Sequence, residues 1–455
     1  MIHESFKARM RDMLGEDYPA FIRALEEDAP VRGARVNRIK AAGSDMPTLE
    51  GFSAERIPYV ENGYIIEGEG QVGRTAAHHA GLIYMQDPGA MAAIAAVDVE
   101  PDLWVADLCA APGGKSGQIA ERLGEGGFLL SNEFVTSRAK ILVGNLERLG
   151  ACRSIVTSMD VGALAELYCG AFDLVVVDAP CSGEGMFRKS EEARVEWTPD
   201  SPRLCAERQW NILVEAMKLL KPGGRLLYST CTWAIEENEE IALRLLDTYP
   251  DLSLIPVKEE LRAATSDGVV IGGREELKLT RRCYPHITKG EGQFIALFKK
   301  AENASEMSTI LYKERVNAPT KEEKSAFESF ARDALAAIPK GRLVKVRENL
   351  LYVMHDCPLP PHSLFMGGIL LGEVRRGILH PSHQLFSALG PYFKTKVELG
   401  ASGDRVERYL AGEEIDAQGV APGWCVVTTE GAALGGGKVS SGRLKNHYPK
   451  GLRNK

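Results

Sequence analysis

The chain has no long apolar run. Its longest stretch free of Asp, Glu, Lys and Arg extends from Gly377 to Phe393, and Pro381 and Pro391 interrupt it. A membrane-spanning helix needs about 20 apolar residues, so none is expected. Paired cysteines are also missing: the nine stand at 109, 152, 169, 181, 205, 231, 283, 357 and 425, none closer to another than twelve positions. An odd, scattered set builds neither a disulfide framework nor a C-x-x-C zinc site, so no metal is expected. Free thiols suit a reducing cytoplasm. The first turns carry Glu4, Lys7, Arg9, Arg11 and Asp12, unlike the apolar stretch of a secretory leader. A cytoplasmic protein is expected.

Acid is absent after Glu430, where Lys438, Arg443, Lys445, Lys450, Arg453 and Lys455 follow. The net charge of −7 hides that asymmetry: residues 310–455 carry +6 and the remainder −13. A basic end on an acidic body is the pattern of a partner-binding segment, or else of a solvated tail. What is present is ordinary globular composition, with 44% apolar residues among 455, enough for about three domains at roughly 150 residues each.

Between residues 101 and 300, short apolar runs alternate with helical patterns. Trp104–Cys109, Phe128–Asn132, Ser154–Thr157, Phe172–Val177, Arg225–Ser229 and Gln293–Phe298 read as strands. Ser116–Leu123, Thr136–Leu149 and Pro202–Leu220 read as helices. This alternation predicts an α/β, doubly wound parallel sheet. Outside it, Ser5–Leu14 is an amphipathic helix and Arg35–Lys40 a basic, strand-like run. Lys299–Ser308 reads as a linker, Lys321–Ala337 as a helix, and a β-rich piece begins near Gly390.

The first core strand runs into Asp107-Leu-Cys-Ala-Ala-Pro-Gly-Gly-Lys-Ser116, a glycine turn opening a helix. Such a turn brings backbone N–H groups to a ligand at the strand ends. A nucleoside-triphosphate loop would need a glycine at Cys109, and the dinucleotide pattern G-x-G-x-x-G is absent. S-adenosylmethionine fits better. Glu133, ending the second strand, can accept its ribose hydroxyls, and Asp160, after the third, its adenine amino group. Alternatively, Glu133 is an exposed strand-end acid and Asp160 a helix N-cap.

The fourth and fifth strands end in Asp178-Ala-Pro-Cys-Ser-Gly183 and Ser229-Thr-Cys-Thr232. As neighbours in the sheet they deliver Cys181 and Cys231 to one place. Two thiols, a methyl donor and Asp178 suit methylation at C5 of a pyrimidine. A thiolate adds at C6 to make C5 nucleophilic, and a second thiol assists proton removal and release. Asp178 can bond the N3/N4 edge and stabilise the charged ring. From the residues alone the two cysteines cannot be ordered.

These motifs resemble the Nop2/Sun family of RNA cytosine-C5 methyltransferases. Arg35-Val-Asn37, His79–Asp87 and Tyr284–Gly292 extend the resemblance along the chain, while Gly183–Lys189, Gly435–Lys438 and Leu444–Lys450 are similar to its bacterial methyltransferase F branch. The resemblance implies Cys231 as nucleophile and Cys181 as release cysteine. It implies S-adenosylmethionine held by Cys109, Ala110, Ala111, Pro112, Gly113, Gly114, Lys115, Glu133, Asp160 and Asp178. Gln293 stands where relatives commonly carry an aromatic residue or histidine. The implied architecture is a small N-terminal α+β domain (1–85), a Rossmann-like methyltransferase core (86–300), an α+β domain (310–388) and a PUA-like β-rich domain (389–455). The implied substrate is cytosine in 16S rRNA, within the 30S subunit, and the implied enzyme is a monomer. A non-catalytic ribosome-assembly factor on the same core is the alternative, which the intact Cys181, Cys231 and Asp178 oppose.

Arg188 and Lys189 are expected to hold RNA phosphates or else to be ordinary surface charges, and Met186 and Phe187 either to stack beside an extruded base or to pack the loop core; Lys445, Lys450, Arg453, His447 and Tyr448 are expected to bind RNA backbone and bases.

Overall fold

The computed structural model describes every residue except 1, 42, 44, 305–311, 315 and 455. The predicted linker therefore lies partly outside the described residues, and Lys299 and Lys300 belong to the last core strand instead.

The core sheet contains β1 (Trp104–Asp107), β2 (Phe128–Asn132), β3 (Ser154–Thr157), β4 (Phe172–Asp178), β5 (Leu220–Thr230) and β6 (Gln293–Lys300). In space the order is β6-β5-β4-β1-β2-β3. Neighbours from β5 to β3 run parallel, and β6 is antiparallel to β5. The strand order reverses at β1, which lies between β2 and β4. The carboxyl ends of β1 and β4 therefore open onto a topological switch point, where doubly wound sheets bind ligands.

The Leu174–Val177 run shows why these strands read as unbroken apolar stretches. Leu174 and Val176 pack with Ile94, Ile119 and Leu227 on one face of the sheet. Val175 and Val177 pack with Phe128, Leu213 and Met217 on the other. With helices on both faces, both sets of alternating side chains must be apolar.

Helices Glu4–Leu14 and Tyr18–Glu26 bury Phe6 and Phe21 in an aromatic cluster with Phe187, Trp197, Trp233 and Tyr284. Phe187 and Trp233 lie in the loops that follow β4 and β5, so the amphipathic N-terminal helix braces the core. A four-stranded sheet follows (order Phe52–Arg56, Gly63–Gly68, Gly33–Val36, Ile83–Met85). Its basic run is not a solvent face. Arg35 is fully buried, pairs with Glu121 and donates to Gly114 O at 3.4 Å. Lys40 donates to Ala80 O, Ser387 Oγ and Ala433 O, tying this region to the C-terminal one.

Beyond residue 315, a helix at Lys321–Ala334 packs on a sheet of Arg342–Val346, Asn349–Val353, Ile369–Arg375 and Ile378–Pro381. Leu364–Gly367 leaves this group and pairs with β3, extending the core sheet. The last sheet comprises Lys396–Glu398, Gly423–Thr429, Ala432–Ser440, Arg443–Asn446 and Ile415–Asp416. No described helix is long and apolar enough to cross a membrane.

Candidate active site

At the end of β1 the chain turns through Gly113, whose φ of +114° is a conformation few side chains adopt, and enters helix Gly114–Ala120. This helix starts two residues earlier than the sequence pattern predicts. Beside the turn, a cleft of about 1450 Å³ is lined by Leu108, Cys109, Glu133, Phe134, Asp160 and Pro180, among others. Glu133 is buried at the end of β2, with Oε1 accepting from Val135 N and Oε2 paired with Arg138. It is therefore not an exposed strand-end acid. Asp160 does cap the following helix, accepting from Gly162 N at 2.9 Å, yet it is exposed and lines the cleft. The helix-cap alternative therefore holds, and the cap leaves the carboxylate at the cleft.

The donor set and the space fit S-adenosylmethionine: a carboxylate for a ribose, a second for an amine, and Phe134 and Val135 as apolar walls. Phe134 is 70% exposed. Sequence reasoning missed it, although an apolar pair directly after a strand-end acid was a usable signal. Asp107, fully buried at the end of β1, accepts from Ser116 Oγ at 2.6 Å, and burial pushes its pKa up to about 7.

The cysteines converge. Cys181 Sγ lies 3.2 Å from Cys231 Sγ, both half-buried. The cause is register: Asp178 on β4 is paired with Ser229 on β5, so chains leaving the two strands carry their thiols side by side. The pairing is held tightly, since Gly185 N donates to Cys231 O, and a Cβ on Gly185 would stand 2.7 Å from Gly292 Cα. Asp178 accepts from Lys115 Nζ at 2.7 Å, Ser229 Oγ at 2.7 Å and Gln293 Nε2 at 3.2 Å. Burial works against the Lys115 ammonium, but Asp178, the Cys231 sulfur and Asp107 outweigh it and hold its pKa above the ordinary value. The Cys181 thiol is pushed far up, first by its hydrogen bond to Cys231 and then by burial and nearby negative charge, including Glu237.

Several expected RNA contacts are not available. Arg188 is buried in an ion pair with Glu291 and donates to Gly290 O. Lys189 pairs with Asp87 at 2.8 Å. Phe187 is 1% exposed within the aromatic cluster, leaving only Met186 at the surface of that turn. Tyr448 is buried and its hydroxyl bonds His79 Nδ1. Arg188, Phe187 and Tyr448 face inward because distant segments close over them, whereas Lys189 stays exposed beside Asp87. Arg188→Met should therefore lower stability, near the lower end of about 3–5 kcal/mol because Lys189 still lies 3.6 Å from the buried Glu291 carboxylate, while RNA affinity of the folded protein stays unchanged. Thermal or denaturant unfolding set beside filter binding checks this.

A doubly wound sheet with a glycine turn at its switch point and a carboxylate ending β2 defines an S-adenosylmethionine-dependent methyltransferase with a Rossmann-like core. Comparison with known proteins narrows the class. Residues 94–299 match the family described as 16S rRNA methyltransferase RsmB/F, residues 2–88 the N-terminal domain of 16S rRNA methyltransferase RsmF, and residues 396–454 the methyltransferase RsmF PUA domain. Ribosomal RNA small subunit methyltransferase F of Klebsiella pneumoniae (strain 342) is 31% identical, over 99% of this chain and 96% of its own length. The protein of that name from Vibrio vulnificus (strain YJ016) is 29% identical over 92% and 91%. A methyltransferase homolog protein from Pyrococcus horikoshii is similar in structure, with a TM-score of 0.55 and 29% identity over 66% of this chain and 95% of that one. The chain belongs to the ribosomal RNA small subunit methyltransferase F family.

Proposed function

We propose that the protein methylates C5 of cytosine in 16S rRNA, with Cys231 as nucleophile and Cys181 as release cysteine. The observation that carries the reading is the pair of thiols 3.2 Å apart beside Asp178 and the cofactor crevice. Simple methyl transfer to an amine, a hydroxyl or a ring nitrogen needs no thiol. Carbon methylation at C5 does, and its release step gives a use to a second.

S-adenosylmethionine would supply an electrophilic methyl group when bound, and the Cys109–Lys115 turn, Glu133, Asp160 and Phe134 would hold it. Cys231 Sγ forms a bond to C6 of the base, and the electron pair of the C5=C6 bond becomes available at C5. Asp178, bonded to Lys115 Nζ at 2.7 Å, accepts from the N4 amino edge and holds the base as charge develops on its ring. After C5 takes the methyl group, the Cys181 sulfur accepts the C5 proton, the C–H electron pair re-forms C5=C6, and the Cys231–C6 bond breaks with its pair going to sulfur, restoring the thiolate.

The geometry gives the second thiol its use: with Cys231 bonded to carbon, Cys181 Sγ, 3.2 Å from Cys231 Sγ, is the thiol within reach of the adduct.

The C-terminal PUA unit supplies RNA affinity, with the enzyme acting as a monomer on the 30S subunit in the cytoplasm. We read four units along the chain, 1–85, 86–300, 310–388 and 389–455. Bisulfite sequencing of 16S rRNA from cells with and without the protein tests the substrate: one or more 5-methylcytosines should vanish on deletion and return with the wild-type chain. An unchanged pattern rejects the proposal.

A further inference from the structure

We propose that Glu237 is a positioning residue for the release step, holding the Cys181 loop against the Cys231 loop. The inference rests on the two-cysteine reading above. Glu237 lies in the turn after β5, is fully buried, and enters none of the cofactor contacts described. Its carboxylate accepts from Ser182 N at 2.9 Å, from Ser182 Oγ, and from Gln209 Nε2 at 2.7 Å. Ser182 follows Cys181 directly. Its Oγ also bonds Thr232 Oγ1 at 2.9 Å, and Thr232 follows Cys231 directly. The carboxylate thus fixes the serine whose hydroxyl links the residue after one thiol to the residue after the other.

The brace is doubled behind the loop. Gln209 Nε2 also donates to Pro180 O at 3.1 Å, on the other side of Cys181. Tyr228 OH donates to Gln209 Oε1 at 2.9 Å and to Glu237 O at 2.6 Å. Cys181 is therefore gripped through both chain neighbours, Ser182 directly by Glu237 and Pro180 through Gln209, which Glu237 also holds.

No cation compensates this carboxylate: among the described residues no Lys, Arg or His forms an ion pair with it, and Glu184 adds a like charge nearby. Burial pushes its pKa up to about 7. A buried carboxylate held only by neutral donors is costly to the fold. Leu or Met would pack this space without that cost, but neither could hold Ser182 N and Oγ. The side chain also has an electrostatic reach, since its charge is among the causes keeping Cys181 protonated before the adduct forms.

The test compares wild type, Glu237→Ala, Glu237→Gln, Ser182→Ala and Cys181→Ala on 30S subunits carrying unmethylated 16S rRNA. Three quantities are read: S-adenosylmethionine affinity by calorimetry, steady-state turnover, and the fraction of enzyme in an SDS-stable RNA adduct. Glu237→Ala should keep cofactor affinity within about threefold, lose turnover on the order of 10²-fold, and accumulate adduct towards the level of Cys181→Ala. Glu237→Gln, which keeps an acceptor for Ser182 N, should recover most of the turnover. Turnover of Glu237→Ala near that of wild type overturns the inference, as does joint loss of cofactor affinity and transfer without adduct. If Glu237→Ala does not fold, Ser182→Ala decides. It removes only the Oγ link, and should show adduct accumulation with about tenfold slower turnover. Unchanged release in Ser182→Ala overturns the inference. If Cys181→Ala itself captures no RNA, the two-cysteine reading fails, and the inference falls with it.

Discussion

Cys231→Ala is expected to abolish methylation and covalent RNA capture together, whereas Cys181→Ala captures RNA and fails to release it. The two sulfurs sit 3.2 Å apart at the ends of adjacent strands, so geometry alone treats them almost alike. Chemistry separates them. Without the nucleophile, C5 never gains the electron density that methylation needs, and the rate should fall on the order of 10⁴-fold or more. Without the release thiol, the first bond still forms and the methyl group still transfers, but C5 keeps its proton and the C6–S bond persists. Denaturing gels of each variant with 16S rRNA read the difference directly. An SDS-stable complex with Cys231→Ala would reverse the assignment, and capture by neither variant would reject a covalent mechanism.

Asp178→Asn should lower single-turnover methyl transfer on the order of 10²–10³-fold, the range for removing one fixed charge from a transition-state site. Two contributions combine in that loss. The carboxylate no longer balances charge on the base, and the buried Lys115 ammonium loses its partner at 2.7 Å. Stranding Lys115 also costs stability, near the lower end of about 3–5 kcal/mol because Asp178 is 30% exposed and water screens the pair. Lys115→Met alone and Asp178→Asn with Lys115→Met separate the two. If Asp178 acts on the base, the double variant stays as slow as Asp178→Asn. If Asp178 serves only as the counter-charge of Lys115, the double variant recovers the rate of Lys115→Met.

The core was legible because its signals are local. The apolar run Leu174–Val177 packs on both faces of the sheet and could read as little else than a buried strand. Helix Thr136–Leu149 has the bounds its periodicity predicts, stopped by Gly150 in a left-handed turn. The candidate site was legible for a similar reason: its thiols and acids follow strand ends, and parallel strands present those ends together. Strand β5 differs, starting at Leu220 instead of Arg225, because Leu220 is paired with Phe172 of β4 ahead of the Pro222-Gly-Gly224 turn. Only the neighbouring strand decides that.

The RNA-facing residues were less legible because charge and ring type do not report direction. Arg188 and Lys189 sit in a loop after Cys181, an ordinary place for phosphate contacts, yet Glu291 and Asp87 come from segments about a hundred residues away and close on them. Tyr448, within the basic C-terminal segment, is turned inward by His79 of the N-terminal region. The regional charge of +6 stands, although one of its cations, Arg453, is turned to the Tyr448 carbonyl at 3.2 Å.

By itself, the sequence determined the strand and helix alternation, the glycine turn, and the placing of Cys181, Cys231, Glu133 and Asp178 at strand ends. These follow from patterns a few residues long. Tertiary structure alone decided that Lys115 would meet Asp178, that Glu237 would join the two cysteine loops, and that Arg188 would be spent on Glu291. Each such pair spans tens to about a hundred residues, and no local pattern records which partner arrives. Sheet order and register decide it: they set which chain ends lie side by side and so which polar side chains must satisfy one another once water is excluded.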